Sequence, residues 1–429
     1  MLLDICKDFK KLGLILAEPL YLLPFGWYRN QKMESKYSIR KFSENSTVKR
    51  PKELGCFSRD IENNVTIDDS QLSYYYLSDA DLNTPDGIDL SGGFSSFKSN
   101  PNLDYGDFTG LLKCIMNYEI EHNKKVSAKL ITWRGLLKTL MLLPYENRDK
   151  LVYNIVVYDD QLFMQSDIDF RREAESVTPN DIQRKFMYSG YKFEKIATLP
   201  KPWAQCTRKE IEKRNKLEVN NIEQYGIVVK TTIGSTPLLL GAEVDCVWDF
   251  KPNDGSSPLA HYAELKTIGP LNDPGKVFNF ENKLLKTWAQ CFLVGIPRII
   301  YAFRDASLKI RSIEEFKTED IPLMIKNNPI SVQRQQQNPN VRIVNKSMQS
   351  IKFLSGILSW LEESIPVDDE TKTYRLEFDP SKNSMFVSLA ENDEETTKKL
   401  KSPYDGENGG MLTEEFKAWR EKLKVSGKE

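Results

Sequence analysis

From Leu238 to Trp248 the chain reads Leu-Leu-Leu-Gly-Ala-Glu-Val-Asp-Cys-Val-Trp, an apolar run holding two acids two positions apart. Successive side chains of a strand point to opposite faces, so Glu243 and Asp245 project together while Val244 faces the reverse side. A loop rich in turn formers, Lys251 to Pro258, follows. Next comes His261-Tyr262-Ala263-Glu264-Leu265-Lys266-Thr267, in which Glu264 and Lys266 share a face by the same rule. If the two strands pair as a hairpin, three carboxylates and one ammonium converge. Clustered carboxylates repel one another and are costly to desolvate, so a fold that gathers them must supply a compensating charge. Mg²⁺ or Mn²⁺ does so, since hard cations take oxygen ligands. Such a metal also lowers the pKa of bound water, which removes the need for a histidine base. The chain has only two histidines, His122 and His261. An E-x-D or E-x-K pair taken singly ordinarily marks the wet face of an amphipathic strand. Two such pairs on adjacent strands with apolar flanks bring catalysis level with that reading.

Three nearby segments bear on the same chemistry. A helix predicted over 280–294 places Lys283, Lys286 and Gln290 on one face and Leu285, Trp288 and Phe292 on another. Lysines and a glutamine beside an acidic site suit phosphate handling, although the spacing alone describes any helix with a solvated basic face. In Ile131-Thr132-Trp133-Arg134-Gly135, Arg134 stands at a predicted helix start, where its fork can hold a phosphate. A plain surface arginine is the commoner meaning of that pattern. In Gly190-Tyr191-Lys192-Phe193-Glu194, Glu194 is expected on a short aromatic turn or at a helix start.

The rest of the chain bounds the fold. Its 429 residues, 40% hydrophobic and 11% aromatic, can build a sizeable core. The net charge of −1 requires any nucleic-acid site to be a local basic funnel on a neutral body. None of the six cysteines forms a CxxC pair, and their spacing outlines neither a zinc site nor a disulfide framework, which fits a reducing compartment. The apolar stretch Leu12 to Trp27 is too short, and too interrupted by Glu18, Pro19 and Pro24, for a membrane span. Residues 1–49 are expected to be an extension, flexible through the lead-in 33–49. The folded part is expected over 50–390, followed by a mobile charged, Gly-rich stretch (391–410) and an amphipathic helix over 412–423. Periodicity predicts helices over 107–120, 134–143, 181–200 and 347–364. It also predicts a hairpin around Asp159-Asp160 and strands over 226–250, 260–268, 298–303, 373–379 and 384–390. Residues 327–341 read as an exposed loop. Strands and helices mix without strict alternation, so the predicted class is α/β (mixed α+β), one large domain on mixed β-sheets flanked by helices.

Taken together, the segments WRG (133–135), GYKFE (190–194), GAEVDC (241–246), HYAELKT (261–267) and LLKTWAQCFLVGIPRIIYAFRD (284–305) resemble the DXO family of RNA decapping nucleases. Arg50-Pro51, Glu53 to Ser58 and Tyr74 to Leu77 agree as well, so the likeness runs from about residue 50 to about 310. It is strongest to the fungal nuclear branch, the partner protein of the nuclear 5′→3′ exoribonuclease. The ExD…ExK pattern also resembles the PD-(D/E)xK nuclease superfamily and implies its core. The resemblance implies roles. Glu194, Asp245, Glu264 and the Leu265 carbonyl would bind the metal, and Glu243 would act through water and substrate. Lys266 and Gln290 would position the phosphate and the attacking water, while Arg134, with Trp133 and Gly135, would line the RNA pocket. It further implies removal of pyrophosphate from 5′-triphosphate RNA and removal of unmethylated, incomplete or NAD caps. Nuclear residence and stimulation of the exoribonuclease are implied too. The alternative is a mainly non-catalytic stabilising partner of that enzyme.

Overall fold

Tyr262–Ile268 and Arg298–Arg304 are parallel neighbours, and parallel strands need a crossover. The 21-residue helix Pro274–Val294 supplies it. It begins six residues before the predicted start. Asp273 caps it by accepting the Lys276 N–H, Pro274 takes the first turn, and Gly295 ends it at φ 80°. This βαβ unit lays the helix across its strands and so carries Gln290 over Glu264.

The computed structural model describes residues 34–426, apart from 84–86, 100–106, 175–179, most of 330–343, 390–393 and 405–409. The expectations for residues 1–32 and most of the predicted loop 327–341 therefore lie outside the described residues. Among those described, the strands form two mixed sheets, one of ten strands and one of seven. The larger runs in space Glu34–Ser38, Ser384–Leu389, Thr373–Asp379, Leu151–Tyr158, Gln161–Ser166, Leu130–Trp133, Thr236–Glu243, Gln224–Ile233, Val48–Arg59, Val65–Thr66. Leu130–Trp133 is parallel to both its neighbours. The smaller runs Ile88–Asp89, Lys309–Lys317, Arg298–Arg304, Tyr262–Ile268, Cys246–Val247, Tyr74–Tyr75, Thr198–Leu199. The predicted mixed α/β class is the observed one. The hairpin around Asp159-Asp160 also forms, with both aspartates at positive φ (50° and 55°), the backbone a two-residue turn with the strands' own twist demands. No described helix is long and apolar enough to cross a membrane.

Two expectations about the ends are corrected. The lead-in predicted to be flexible through residue 49 is ordered from Glu34. Glu34–Ser38 pairs with Ser384–Leu389, and Tyr37 buries its ring against Phe353 and Trp360 at centroid distances of 6.1 and 5.4 Å. A strand recruited by a partner 350 positions away leaves little trace in local composition. In the stretch predicted to be mobile, Glu394–Lys401 is a helix with Leu400 buried, and Met411 and Leu412 are buried before the final helix Glu414–Val425. That helix carries a fully buried arginine, Arg420, onto Thr109–His122.

Candidate active site

The two acidic pairs do converge, by a different route from a simple hairpin. Glu243 is the last residue of its strand in the larger sheet, where it pairs with Gly226. Val244 then donates its N–H to the Tyr225 carbonyl (3.0 Å), and Cys246–Val247 enters the smaller sheet opposite Ala263 and Tyr262. Glu243 and Asp245 therefore flank a crossing between sheets and do not share one strand face. Asp245 reaches the second motif directly, its Oδ2 accepting the Leu265 N–H at 2.6 Å.

Glu264 is the hub, with 1% of its surface exposed. Its Oε1 accepts from the Lys266 ammonium and from the Gln290 amide, and its Oε2 lies 3.5 Å from the Arg134 guanidinium. Lys266 Nζ also donates to the Leu265 carbonyl (3.1 Å) and stands 3.9 Å from Asp245. Arg134 opens its helix, Arg134–Leu142, as predicted, and that helix packs against Pro274–Val294. Glu194 lies in the helix predicted over 181–200, at its end and not on a short turn or at a helix start. It sits in the last turn of a 16-residue helix, Asp181–Ile196, which starts at an Asn180–Gln183 capping box and packs on Tyr262–Ile268. The Gly190–Phe193 aromatics gave a local turn signal that the longer capped helix overrides.

The charges respond to this crowding. Burial, and after it Asp245, push the Glu194 carboxyl well above the usual range. The same two causes raise Glu243 to about 7, although it keeps access to solvent along the cleft. Burial and Glu264 raise Asp245 to about 6. Burial opposes the charge on Glu264 as well, but Lys266 and Arg134 outweigh it and hold that carboxyl below its usual value. Lys266, although half-buried, is kept charged by Glu264, Asp245 and Glu194. Among the described residues no three metal-ligating side chains surround a common point. The Lys266 ammonium bridges Glu264 and Asp245 instead. The donor set nonetheless fits a hard divalent cation: carboxylate and carbonyl oxygens, three of the acids holding their protons too tightly for want of positive charge.

A cavity of about 560 Å³ opens from Glu243 along the Arg134 helix. Trp133 and Gly135 line it as predicted. Trp133 is set between Phe108, stacked at 6.5 Å, and Phe57, edge-on at 6.4 Å. It lies opposite Gly241 in the parallel register, where a Cβ would meet its ring at 2.8 Å. Sequence reasoning missed four basic residues of this cavity: Arg59, Lys138, Lys150 and Arg171. Only Lys138 left a signal, four residues after Arg134 on the same helical face. Of the predicted basic helix face, Gln290 joins the site, whereas Lys286 pairs with Glu146 at 3.0 Å.

A family model described as RAI1 like PD-(D/E)XK nuclease matches residues 49–417. The chain belongs to the RAI1-like PD-(D/E)XK nuclease family. It is 43% identical over 406 residues to the decapping nuclease RAI1 of Scheffersomyces stipitis, covering 90% of this chain and 98% of that one. It is 35% identical over 404 residues to that of Saccharomyces cerevisiae, with 90% and 98% covered. Among solved structures, Candida albicans Rai1 in complex with pU5 and Mn²⁺ superposes with a TM-score of 0.82 at 40% identity, covering 91% of this chain and 99% of that one. Scheffersomyces stipitis Rai1 with (3′-NADP)⁺ and calcium gives 0.79 at 42%, with 90% and 100% covered. As a member of this RAI1-like family, the chain is an RNA decapping hydrolase.

Proposed function

We propose that this chain hydrolyses RNA 5′ ends at the first phosphate. It would release pyrophosphate from a triphosphate end and detach unmethylated, incomplete or NAD caps. The observation that carries the reading is the Glu264 hub, with Arg134, Lys266 and Gln290 on one carboxylate and Asp245 alongside, opening through Glu243 into the cleft. Glu194, Asp245, Glu264 and the Leu265 carbonyl would hold a divalent cation, Mg²⁺ or Mn²⁺, which would supply Lewis acidity at the phosphate and lower the pKa of water. Lys266 and Gln290 orient the phosphate and the attacking water. Arg134 places its fork on a phosphate oxygen once substrate competes with Glu264. Glu243, near neutrality and open to solvent, takes the water's proton on a carboxylate oxygen. One geometry serves all these ends, because only the leaving group differs.

The relatives solved with pU5, with (3′-NADP)⁺ and, in Schizosaccharomyces pombe Rai1, with 3′-FADP support a pocket for such ends. Nuclear residence and stimulation of a 5′→3′ exoribonuclease complete the proposal, on the likeness to the fungal nuclear branch. The test is product analysis on RNA carrying a labelled triphosphate, unmethylated cap or NAD cap, with Mg²⁺ or Mn²⁺. Wild type releases the labelled group, and Glu264→Gln slows release by about 100-fold or more. A folded, metal-bound wild type that releases nothing would leave the stabilising-partner role in its place.

A further inference from the structure

We propose that Lys138 grips the pyrophosphate that leaves a 5′-triphosphate end, making the cavity beside the carboxylates a leaving-group subsite. This rests on the hydrolase reading above.

The argument starts from position. Lys138 lies four residues after Arg134, a rise of about 6 Å along the same helical face. Helical side chains lean toward the N-terminus, so its ammonium is carried back toward Arg134 and hence toward Glu264. Lys138 thus lines the cavity about one helical turn along from Arg134.

Charge balance singles it out. Of the other cations lining the cavity, Arg59 is neutralised by Asp107 at 2.7 Å and Arg134 by Glu264. Lys150 stands 3.7 Å from Glu377, and Arg171 is not free either. Among the described residues the Lys138 ammonium makes no hydrogen bond or ion pair. Burial, and then the cations Arg134 and Lys266, pull its pKa down to about 8, while Glu264, already held by Lys266, Arg134 and Gln290, acts weakly the other way. A largely buried ammonium beside other cations, with no ion pair of its own among the described residues, is costly unless an anion joins it. A cavity of about 560 Å³ is the size of a small-ligand pocket and suits a pyrophosphate group better than a length of RNA. Lysine also presents a compact point charge suited to phosphate oxygens.

The experiment titrates inorganic pyrophosphate, as its magnesium complex, into wild type, Lys138→Gln and Lys138→Arg, with 5′-monophosphate RNA as the comparison ligand. Lys138→Gln should weaken pyrophosphate binding about tenfold, the loss of one charge-assisted contact, and leave the monophosphate RNA unaffected. Lys138→Arg should stay within about threefold of wild type, since it keeps the charge. With triphosphate RNA as substrate, Lys138→Gln should raise KM more than it lowers kcat. Equal pyrophosphate affinity in wild type and Lys138→Gln overturns the proposal. So does an equal loss for both ligands, which would put the RNA strand in this cavity. Pyrophosphate binding needs no turnover, so these arms read Lys138 even if wild type hydrolyses nothing. Failure of the hydrolase reading appears separately, as absent product release.

Discussion

Replacing Arg420 by methionine should unfold this protein more readily than any surface change. The guanidinium is fully buried between the last helix and the Asp159 hairpin. It donates to both oxygens of Glu119 (2.7 and 2.8 Å), to Asp159 Oδ2 (2.6 Å) and to Gln161 Oε1 (3.1 Å). Without it, Asp159 still has Lys125 at 3.1 Å and Lys424 at 3.4 Å. Among the described residues Glu119 then keeps the Val126 N–H (2.9 Å) and the Trp419 indole N–H (3.0 Å) but no cation, although it is fully buried. Breaking a buried pair from one side costs about 3–5 kcal/mol. One charge stranded out of two supports a value of about 4 kcal/mol, or roughly a thousandfold in the folding equilibrium. Urea denaturation at pH 7, followed by tryptophan fluorescence, reads this as a lower midpoint at unchanged slope. Adding Glu119→Gln should restore about 1–2 kcal/mol, because a neutral amide in the same place needs no counter-charge. A single variant within 1 kcal/mol of wild type, or a double variant no better than the single, would refute the reasoning.

Two further perturbations probe the site itself. Gly241→Ala puts a Cβ 2.8 Å from the Trp133 ring, which Phe57 and Phe108 confine. It should cost about 1–3 kcal/mol of stability and lower kcat/KM by displacing the cleft wall; wild-type melting and turnover would contradict this. Glu243 and Asp245 have folded pKa values raised to about 7 and about 6. A raised carboxylate contributes stability below its ordinary pKa, near 4, and loses that contribution as pH rises through the folded value. Metal-free wild type should therefore lose melting temperature between about pH 5 and 8 relative to Glu243→Gln/Asp245→Asn, and Mn²⁺ should bind wild type more tightly across the same window. Parallel pH profiles for the two metal-free proteins would remove the electrostatic account.

Much of the site was legible in the chain because its signals are local. Acids two apart in an apolar run, an E-x-K two residues into the next strand, an arginine at a helix start and a glutamine on a helix face are each set within a few residues. The Asp159-Asp160 hairpin and the mixed α/β class were readable for the same reason. Distant pairings were not. Glu194 lies on a helix that was predicted, but nothing local shows that the end of that helix packs on Tyr262–Ile268. Glu243 and Asp245 are brought to Glu264 by a change of sheet, which no periodicity encodes.

By itself, then, the amino-acid order determined which side chains could do chemistry and which elements would carry most of them. Only the tertiary structure decided that Glu34–Ser38 belongs to the sheet through a strand near the C-terminus, and that Arg420 is buried rather than solvated. It also decided that Lys138 makes no hydrogen bond or ion pair among the described residues. The reason is that secondary structure follows from neighbours three or four positions away, whereas burial and charge balance depend on which remote segments meet when the chain closes its loops.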